Sequence, residues 1–491
     1  MSSPLPPRAR WPRTRRPLAA LAPAALALTA LVALPGAARA QAGAASARVA
    51  APRIPHTKFT LPNGLTVVTH EDHSAPVATV SVHYKVGSKH EKPGRTGFAH
   101  LFEHIMFEGS QNVPEGSFDK YLESAGANNN GTTDNDRTLY YESMPSNALE
   151  TALWLESDRL GFLLPTLDQK KLDGQRDIVK NERRLRVDNQ PFGSRFEVVS
   201  AAIYPAGHPY SWPVIGSMRD LSDATLDDVK DFFRTYYTPN NTVLVVAGDI
   251  DPAKVRQQVT RYFGDIPRGP ALTRPKIAPV TLAAEKRLVL EDSKARLPQI
   301  AFTWPSVGIR SNDDAPLTAL SRVLTQDRTS RLTKLLVYDR QLATNVGAFQ
   351  GSNEDVGEFT INVTPRPGAS LTEIERLVDS VVTGLVAAPP TAAEVERYKN
   401  FFAVSTITGL QSVFGKATTL GESELYFGDP EHFRKDLTDA LAVTPADVHR
   451  VARQYLSKGR IVLSMVPAGQ LTLVSKPDLP YVNVTPKPAV Q

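Results

Sequence analysis

Gly97-Phe98-Ala99-His100-Leu101-Phe102-Glu103-His104-Ile105-Met106-Phe107 is the stretch on which the reading of this sequence turns. Phe98, Leu101, Phe102 and Ile105 fall at i, i+3, i+4 and i+7, the stripe of an amphipathic helix packed on a core. His100, Glu103 and His104 share another face. Two histidines four residues apart on a helix stand about one turn apart, so both imidazoles can aim at one metal ion. Glu103, one residue before the second histidine, is placed to take a proton from a water activated there. The competing reading is two ordinary helix histidines beside a solvated glutamate. With 10 histidines in the chain, an H-x-x-E-H arises by chance in roughly one such sequence in a hundred. The remaining histidines show no ligand-like spacing.

A catalytic zinc site usually has three protein ligands and one open position. Asp177-Ile178-Val179-Lys180-Asn181-Glu182-Arg183-Arg184-Leu185 offers the third. Read as a helix, it sets Glu182 four after Ile178, three after Val179 and three before Leu185, on an apolar face. An unpaired charge there is costly, and a metal would remove the cost. The alternative is a glutamate ion-paired with Arg183 or Arg186.

Composition sets the frame around this motif. The chain has 491 residues, 56 Lys+Arg against 51 Asp+Glu, and no cysteine. That length suggests two or more domains. At 41% hydrophobic and 22% charged residues, the composition rules out disorder throughout. Without cysteine there is no disulfide, thiolate ligand, cysteine nucleophile or lipoprotein anchor. The formal charge of +5 raises the question of a nucleic-acid partner. Residues 1–40 answer it, because they hold Arg8, Arg10, Arg13, Arg15, Arg16 and Arg39 and no acid. Nucleic-acid binding is therefore dropped.

The same residues read as an export signal. Arg8 to Arg16 form a positive start, Leu18 to Leu34 an apolar run containing Pro23, and Ala38-Arg39-Ala40 a cleavage box. Arg15-Arg16 raises the twin-arginine route, and an uncleaved anchor is the alternative. The expected mature chain starts near Gln41, has no later apolar run long enough to span a membrane, and is periplasmic or secreted in a bacterium.

Residues 41–54 read as a flexible lead-in. Pro62-Asn63-Gly64 between Lys58–Leu61 and Leu65–Thr69 signals a hairpin. Val77–Val86 reads as a central strand. Asn147 and Glu150 suggest a capping box for a helix carrying Leu149, Leu153 and Leu160. A strand returns at Thr242–Gly248. Ile266 to Val280 is proline-rich and reads as a linker, set at 267–284. Beyond it the chain repeats in outline. Phe232 to Asp249 and Arg450 to Pro467 each run from a helix end into a strand. Each follows an acidic helix start, at Ala224–Asp228 and Thr444–Asp447. Two copies of one α+β domain, 55–266 and 285–475 with a tail at 476–491, is the simplest organisation.

With these segments in hand, the sequence resembles the pitrilysin/insulinase family of inverted-motif zinc metallopeptidases, in the short two-domain type of the mitochondrial processing peptidase subunits. The resemblance spans about residues 55–470. It rests on H-x-x-E-H followed by Glu182, with 77 residues between His104 and Glu182. The flanks Gly94–Gly97 and Phe107–Ser110 add to it, as do Asn130-Gly131-Thr132-Thr133…Tyr140-Tyr141, His208-Pro209-Tyr210 and Tyr237-Thr238-Pro239-Asn240-Asn241. It implies two similar domains, each a mostly antiparallel sheet packed with helices. It implies His100, His104 and Glu182 as ligands of one zinc per chain and Glu103 as general base. Asn130, Gly131 and Thr132 match an edge strand that pairs with extended peptide. Ser330-Arg331-Leu332…Leu336-Val337-Tyr338 resembles the segment whose Arg331 and Tyr338 hold substrate and stabilise the oxyanion. From the residues alone, an arginine and tyrosine so spaced read as structural.

Two departures matter. Where a second zinc motif would fall, Ala315–Leu324 has neither histidine nor glutamate. Many relatives carry a glutamate seven residues before the third ligand, as an outer-sphere helper. Here that position is Gln175, which can hydrogen-bond but carries no charge. The implied activity is zinc-dependent endopeptidase cleavage of extended peptides or unfolded segments, in a homodimer or a heterodimer with a related chain. The alternative is a catalytically weak or partner-dependent scaffold subunit.

Overall fold

The computed structural model describes residues 52–274 and 277–485. The expected signal segment lies outside the described residues, as do residues 41–51 of the lead-in and 486–491 of the tail.

Thr57–Thr60 (β1) and Thr66–Glu71 (β2) pair antiparallel, from Thr57↔Thr69 to Thr60↔Thr66. Gly64 closes the turn at φ 94°, a left-handed conformation that glycine adopts without steric cost. Val77–Tyr84 (β3), Asn128–Thr133 (β4), Thr138–Pro145 (β5) and Thr242–Gly248 (β6) complete a six-stranded sheet in the order β1-β2-β6-β3-β5-β4. The Val77 run is central, as its β-branched composition suggests.

The second sheet repeats the first. Its strands are Lys286–Asp292 (β7), Gln299–Val307 (β8), Ala343–Ser352 (β9), Val356–Pro365 (β10), Ile461–Pro467 (β11) and Val482–Asn483 (β12). Their order is β12-β7-β11-β8-β10-β9. In each sheet the first and last strands of the repeat run parallel, β2 with β6 and β7 with β11, and the next three pairings are antiparallel. Only the outermost strand differs: β1 arrives as a hairpin, β12 as a parallel strand from the tail. The fold is α+β with two similar halves.

The acidic helix starts form true capping boxes, Thr225 with Asp228 and Thr444 with Asp447, at the heads of Leu226–Tyr236 and Pro445–Val451. The expected box at Asn147 does not form. Asn147 lies in a short 3-10 turn, the helix Leu149–Phe162 starts at Ala148 without a side-chain cap, and Glu150 accepts from the Tyr262 hydroxyl instead. The tertiary contact outcompetes the local cap.

Strand alternation gives each sheet two apolar faces. On β6, Leu244 and Val246 face the core of their own half, while Val243, Val245 and Ala247 face away. That outer face is covered by the second half's helix Val413–Phe427, through Ala417, Leu420 and Leu425. The converse holds on β11. Val462 and Val466 face their own core, and Ile461, Leu463 and Met465 pack against Phe192, Val199, Ile203, Tyr204 and Tyr210 of the first half. Each half therefore lends a helical segment to the other's sheet. Among the described residues no helix is long and apolar enough to cross a membrane.

Candidate metal centre and active site

The motif forms the helix Phe98–Ile105, with Phe98, Leu101, Phe102 and Ile105 all buried. It begins at Gly97, where φ is 93° and the backbone lies against Gly216 too closely for a side chain. Glu91, fully buried, accepts the N–H groups of Gly97 and Ala99, both at 2.9 Å. Burial pushes the Glu91 pKa up, and those N–H bonds oppose the rise. A carboxylate at a helix start satisfies orphan donors and complements the helix dipole.

The helix Gln169–Arg183 brings in Glu182. Its Oε2 lies 3.2 Å from His104 Nε2 and 3.4 Å from His100 Nε2, and its Oε1 accepts from Arg186 at 2.7 Å. Arg183 turns away to Glu197. One carboxylate oxygen thus faces the two histidines and the other pairs with Arg186. The expected apolar stripe needs correction. Val179 is buried, but Ile178 is 46% and Leu185 is 64% exposed. Glu182 shares its inward face with Val179 and Gln175. Leu185 stands in a widened, π-helical turn, Arg184–Asp188, that departs from the α-helical period used to place it.

The donor set suits zinc. One ligand atom from each of His100, His104 and Glu182 lies within 4.8 Å of the other two, and two imidazoles with a carboxylate form a familiar zinc donor set. Metal binding requires neutral imidazole. Burial lowers the His100 pKa to about 4, with His104 adding to the drop and Glu182 opposing it. Burial also lowers His104, again against Glu182. A second carboxylate cluster, Asp136, Glu354 and Asp355, is filled by the Lys89 ammonium at 2.9, 2.7 and 2.8 Å. It is an ion-pair knot between the halves.

Glu103 lies between the helix and β4, where its Oε2 accepts from Thr133 Oγ1 at 2.6 Å. Burial pushes its pKa up, and the Thr133 bond opposes the rise. A side chain at Gly131 would meet Glu103 Cγ at 2.9 Å, so the glycine makes room for the carboxylate. Among the described residues β4 pairs only with β5 and forms the free edge of its sheet. The Asp134 N–H donates to Arg137 O at the turn. Antiparallel alternation then turns the backbones of Asn130 and Thr132 toward β5 and those of Asn129, Gly131 and Thr133 outward. Of the three expected strand residues, Gly131 is the one presenting N–H and C=O at the edge. Its N–H is held by the Asn130 side chain at 2.8 Å.

Three expected residues stand apart from this cluster. Gln175 donates to Glu108. Arg331 makes a two-pronged bond to Glu394, at 2.7 and 3.0 Å. Tyr338 is exposed, with Arg328 over its ring. Among the described residues no hydrogen bond or ion pair joins Arg331 or Tyr338 to His100, His104 or Glu182. Sequence reasoning missed the contributions of Thr133, which bonds Glu103 from a strand 30 residues further along the chain, and of Glu91. Glu91 had one signal: an acid shortly before a glycine-started helix.

Two models of one family match the chain: "Insulinase (Peptidase family M16)" over residues 66–212 and "Peptidase M16 inactive domain" over residues 223–402. The chain belongs to the M16 peptidase family. The zinc protease PqqE of Helicobacter pylori is 28% identical over 403 residues, covering 82% of this chain and 90% of that protein. The mitochondrial-processing peptidase subunit beta of Blastocladiella emersonii is 27% identical, covering 82% and 87%. Among solved structures, a protease from Helicobacter pylori superimposes with a TM-score of 0.79 at 26% identity, over 84% of this chain and all of that one. The first half of the periplasmic protease PqqL from Escherichia coli matches with a TM-score of 0.67 at 18% identity, over 84% of this chain and 92% of that one. This last likeness concerns the fold alone. The match named for an inactive domain begins in the last part of the first half, at residue 223, and runs on to residue 402 of the second, beyond the histidine pair.

Proposed function

We propose that this M16 protein is a zinc-dependent endopeptidase that cleaves extended peptides or unfolded segments. The observation that carries this reading is the convergence of His100, His104 and Glu182, with Glu103 beside them under the free edge of β4. Zinc held by those three residues would supply a Lewis acid that polarises the scissile carbonyl and makes water nucleophilic at neutral pH. Glu103 takes the proton from the attacking water and returns it to the leaving amine. The outward N–H and C=O of Gly131 pair with the substrate backbone once Asn130 releases that N–H. Residues 1–40 would export the chain to the periplasm or beyond.

A second reading is favoured by one observation. Arg331 is engaged by Glu394 within the chain, and Tyr338 has no link to the cluster. In this reading the site is completed by Arg331 and Tyr338 of another copy, or by a related chain, and a lone chain is weak or acts as a scaffold.

The test is cleavage of a mixed peptide pool by purified residues 41–491, read by mass spectrometry beside Glu103→Gln. Chelator-sensitive cleavage lost in the variant supports the endopeptidase. Bound zinc without cleavage supports partner dependence. Neither zinc nor cleavage overturns both enzyme readings.

A further inference from the structure

The candidate ligands are not fastened alike. The helix that carries the two histidines buries Phe98, Ala99, Leu101, Phe102 and Ile105 around them. The helix that carries Glu182 buries only Leu172, Gln175 and Val179, and from Lys180 to Pro191 no residue is buried. Glu182 thus sits on a helix end that its own core does not grip, and that end runs into the widened turn Arg184–Asp188. A segment with so few buried contacts opens easily unless something outside holds it.

The next buried residue is Phe192, and it anchors in the other half. Its side chain lies in the cluster that contains Leu288, Leu290 and Leu463 of the second sheet. Its backbone is left-handed, at φ 55°, a conformation disfavoured for a bulky residue and kept only where the surroundings impose it. Asp292, the last residue of β7, supplies the imposing contact: its Oδ2 accepts the Phe192 N–H at 2.7 Å. Its Oδ1 is fixed in turn by the Lys294 N–H at 2.8 Å. Gly193 folds back against the Val187 carbonyl too closely for a side chain, so the clasp bears on the widened turn itself.

A second tie leaves from Arg183, the neighbour of Glu182. Its guanidinium forks onto Glu197 at 2.7 and 3.0 Å and also donates to the Gly216 carbonyl at 2.8 Å. Glu197 stands on the helix Arg195–Ile203, whose Val199 and Ile203 lie in the same cluster against the second sheet. Gly216 rests on Gly97, where the histidine helix begins. One side chain therefore spans the Glu182 helix, the head of the histidine helix and a helix seated on the other half. A planar fork with fixed donors suits that task.

We infer that the second half sets the third metal ligand. Asp292, through Phe192, and Arg183, through Glu197 and Gly216, are positioning residues that hold Glu182 against the two imidazoles. The inference rests on the zinc reading above and gives the half without a histidine pair a part in metal binding.

The test measures zinc affinity of residues 41–491 by competition with a chromophoric chelator. It adds the visible spectrum of cobalt(II), which follows the number and geometry of its ligands. Asp292→Ala and Arg183→Met should bind zinc about 10–100-fold more weakly than wild type, the usual worth of residues that orient a ligand. Their cobalt spectra should move toward that of Glu182→Ala. Asp292→Asn, which keeps an acceptor for the Phe192 N–H, should restore both readouts. Thermal melts of the metal-free proteins confirm that each variant is folded. Wild-type affinity in Asp292→Ala and Arg183→Met overturns the inference. Loss confined to Arg183→Met also overturns it, because the second half would then not be setting Glu182. Weaker binding with an unchanged cobalt spectrum does the same, by reducing both residues to a structural role. A folded wild type that takes up neither zinc nor cobalt would sink the metal reading and this inference with it, whereas full uptake by wild type beside unaltered variants sinks the inference alone.

Discussion

Two helices occupy the same place in the two halves. Phe98–Ile105 runs from β3 toward edge strand β4, and Asp314–Thr325 runs from β8 toward edge strand β9. Both bury an apolar stripe. In the first, His100, Glu103 and His104 turn toward Glu182 and β4. In the second, Leu317, Ala319, Leu320, Ser321, Val323 and Leu324 are all buried, and no side chain of the helix can ligate a metal through nitrogen. The second α-helix after the edge hairpin (β4–β5 or β9–β10) of each half diverges in the same way. Gln169–Arg183 delivers Glu182, whereas Ala392–Gly409 opens with Glu394, spent on Arg331, and exposes Val404. One scaffold thus serves twice, and four ionisable side chains mark the half proposed to carry the chemistry. Strand order and topology say nothing about which half that is.

This contrast can be broken by experiment. The largest effect is expected at the ligands. Wild-type protein should hold zinc after dialysis, and His104→Ala or Glu182→Ala should lose it, as read by elemental analysis. Retention of stoichiometric zinc by both variants would place the metal elsewhere. Next, Glu103→Gln should keep its zinc and lose cleavage by about 10²–10⁴-fold, the usual worth of a positioned general base. Gly131→Ala should follow, with about a tenfold loss of kcat/KM, because the new methyl group meets Glu103 Cγ at 2.9 Å. Its melting temperature should change little. A fully active Gly131→Ala would show that Glu103 does not need this lane.

The smallest effect is expected in the second half. Arg331→Gln breaks the pair with Glu394 and should cost about 1 kcal/mol, or about 1–2 °C in Tm for a chain of this size. Arg331 and helix-start bonds hold the Glu394 pKa at about 2, down from an ordinary 4.5. A lowered carboxylate pKa stabilises the fold above the unfolded value and loses that contribution as pH falls through the folded one. The Tm gap between wild type and Arg331→Gln should therefore be full above pH 4.5 and close toward pH 2. A large loss of kcat at unchanged Tm would instead assign Arg331 to the active site of a second copy.

Much of this was legible in the sequence because it is local. The i, i+4 histidines, the Pro62–Gly64 turn, the Val77 strand and the twin helix starts all depend on residues within one or two turns of each other. What escaped depends on pairing across the chain. Thr133 reaches Glu103 only because β4 lies over the motif helix. Gly131 rather than Asn130 or Thr132 faces outward because the Asp134–Arg137 turn sets the alternation. Ile178 and Leu185 were placed on a buried face by periodicity, which counts residues and not neighbours, and both proved exposed. Asn147 looked like a cap, but Glu150 was drawn to Tyr262 instead.

The crossed helices have a mechanical consequence. Val413–Phe427 lies on the first sheet and Phe192–Tyr210 on the second, so the halves are laced together twice, in opposite senses. A protease that nicks the proline-rich stretch near residue 270 severs one covalent thread and neither lace. The two fragments should travel as a single particle through gel filtration and part only in denaturant. Either fragment made alone would leave one face of its sheet bare and should come out of the cell as aggregate.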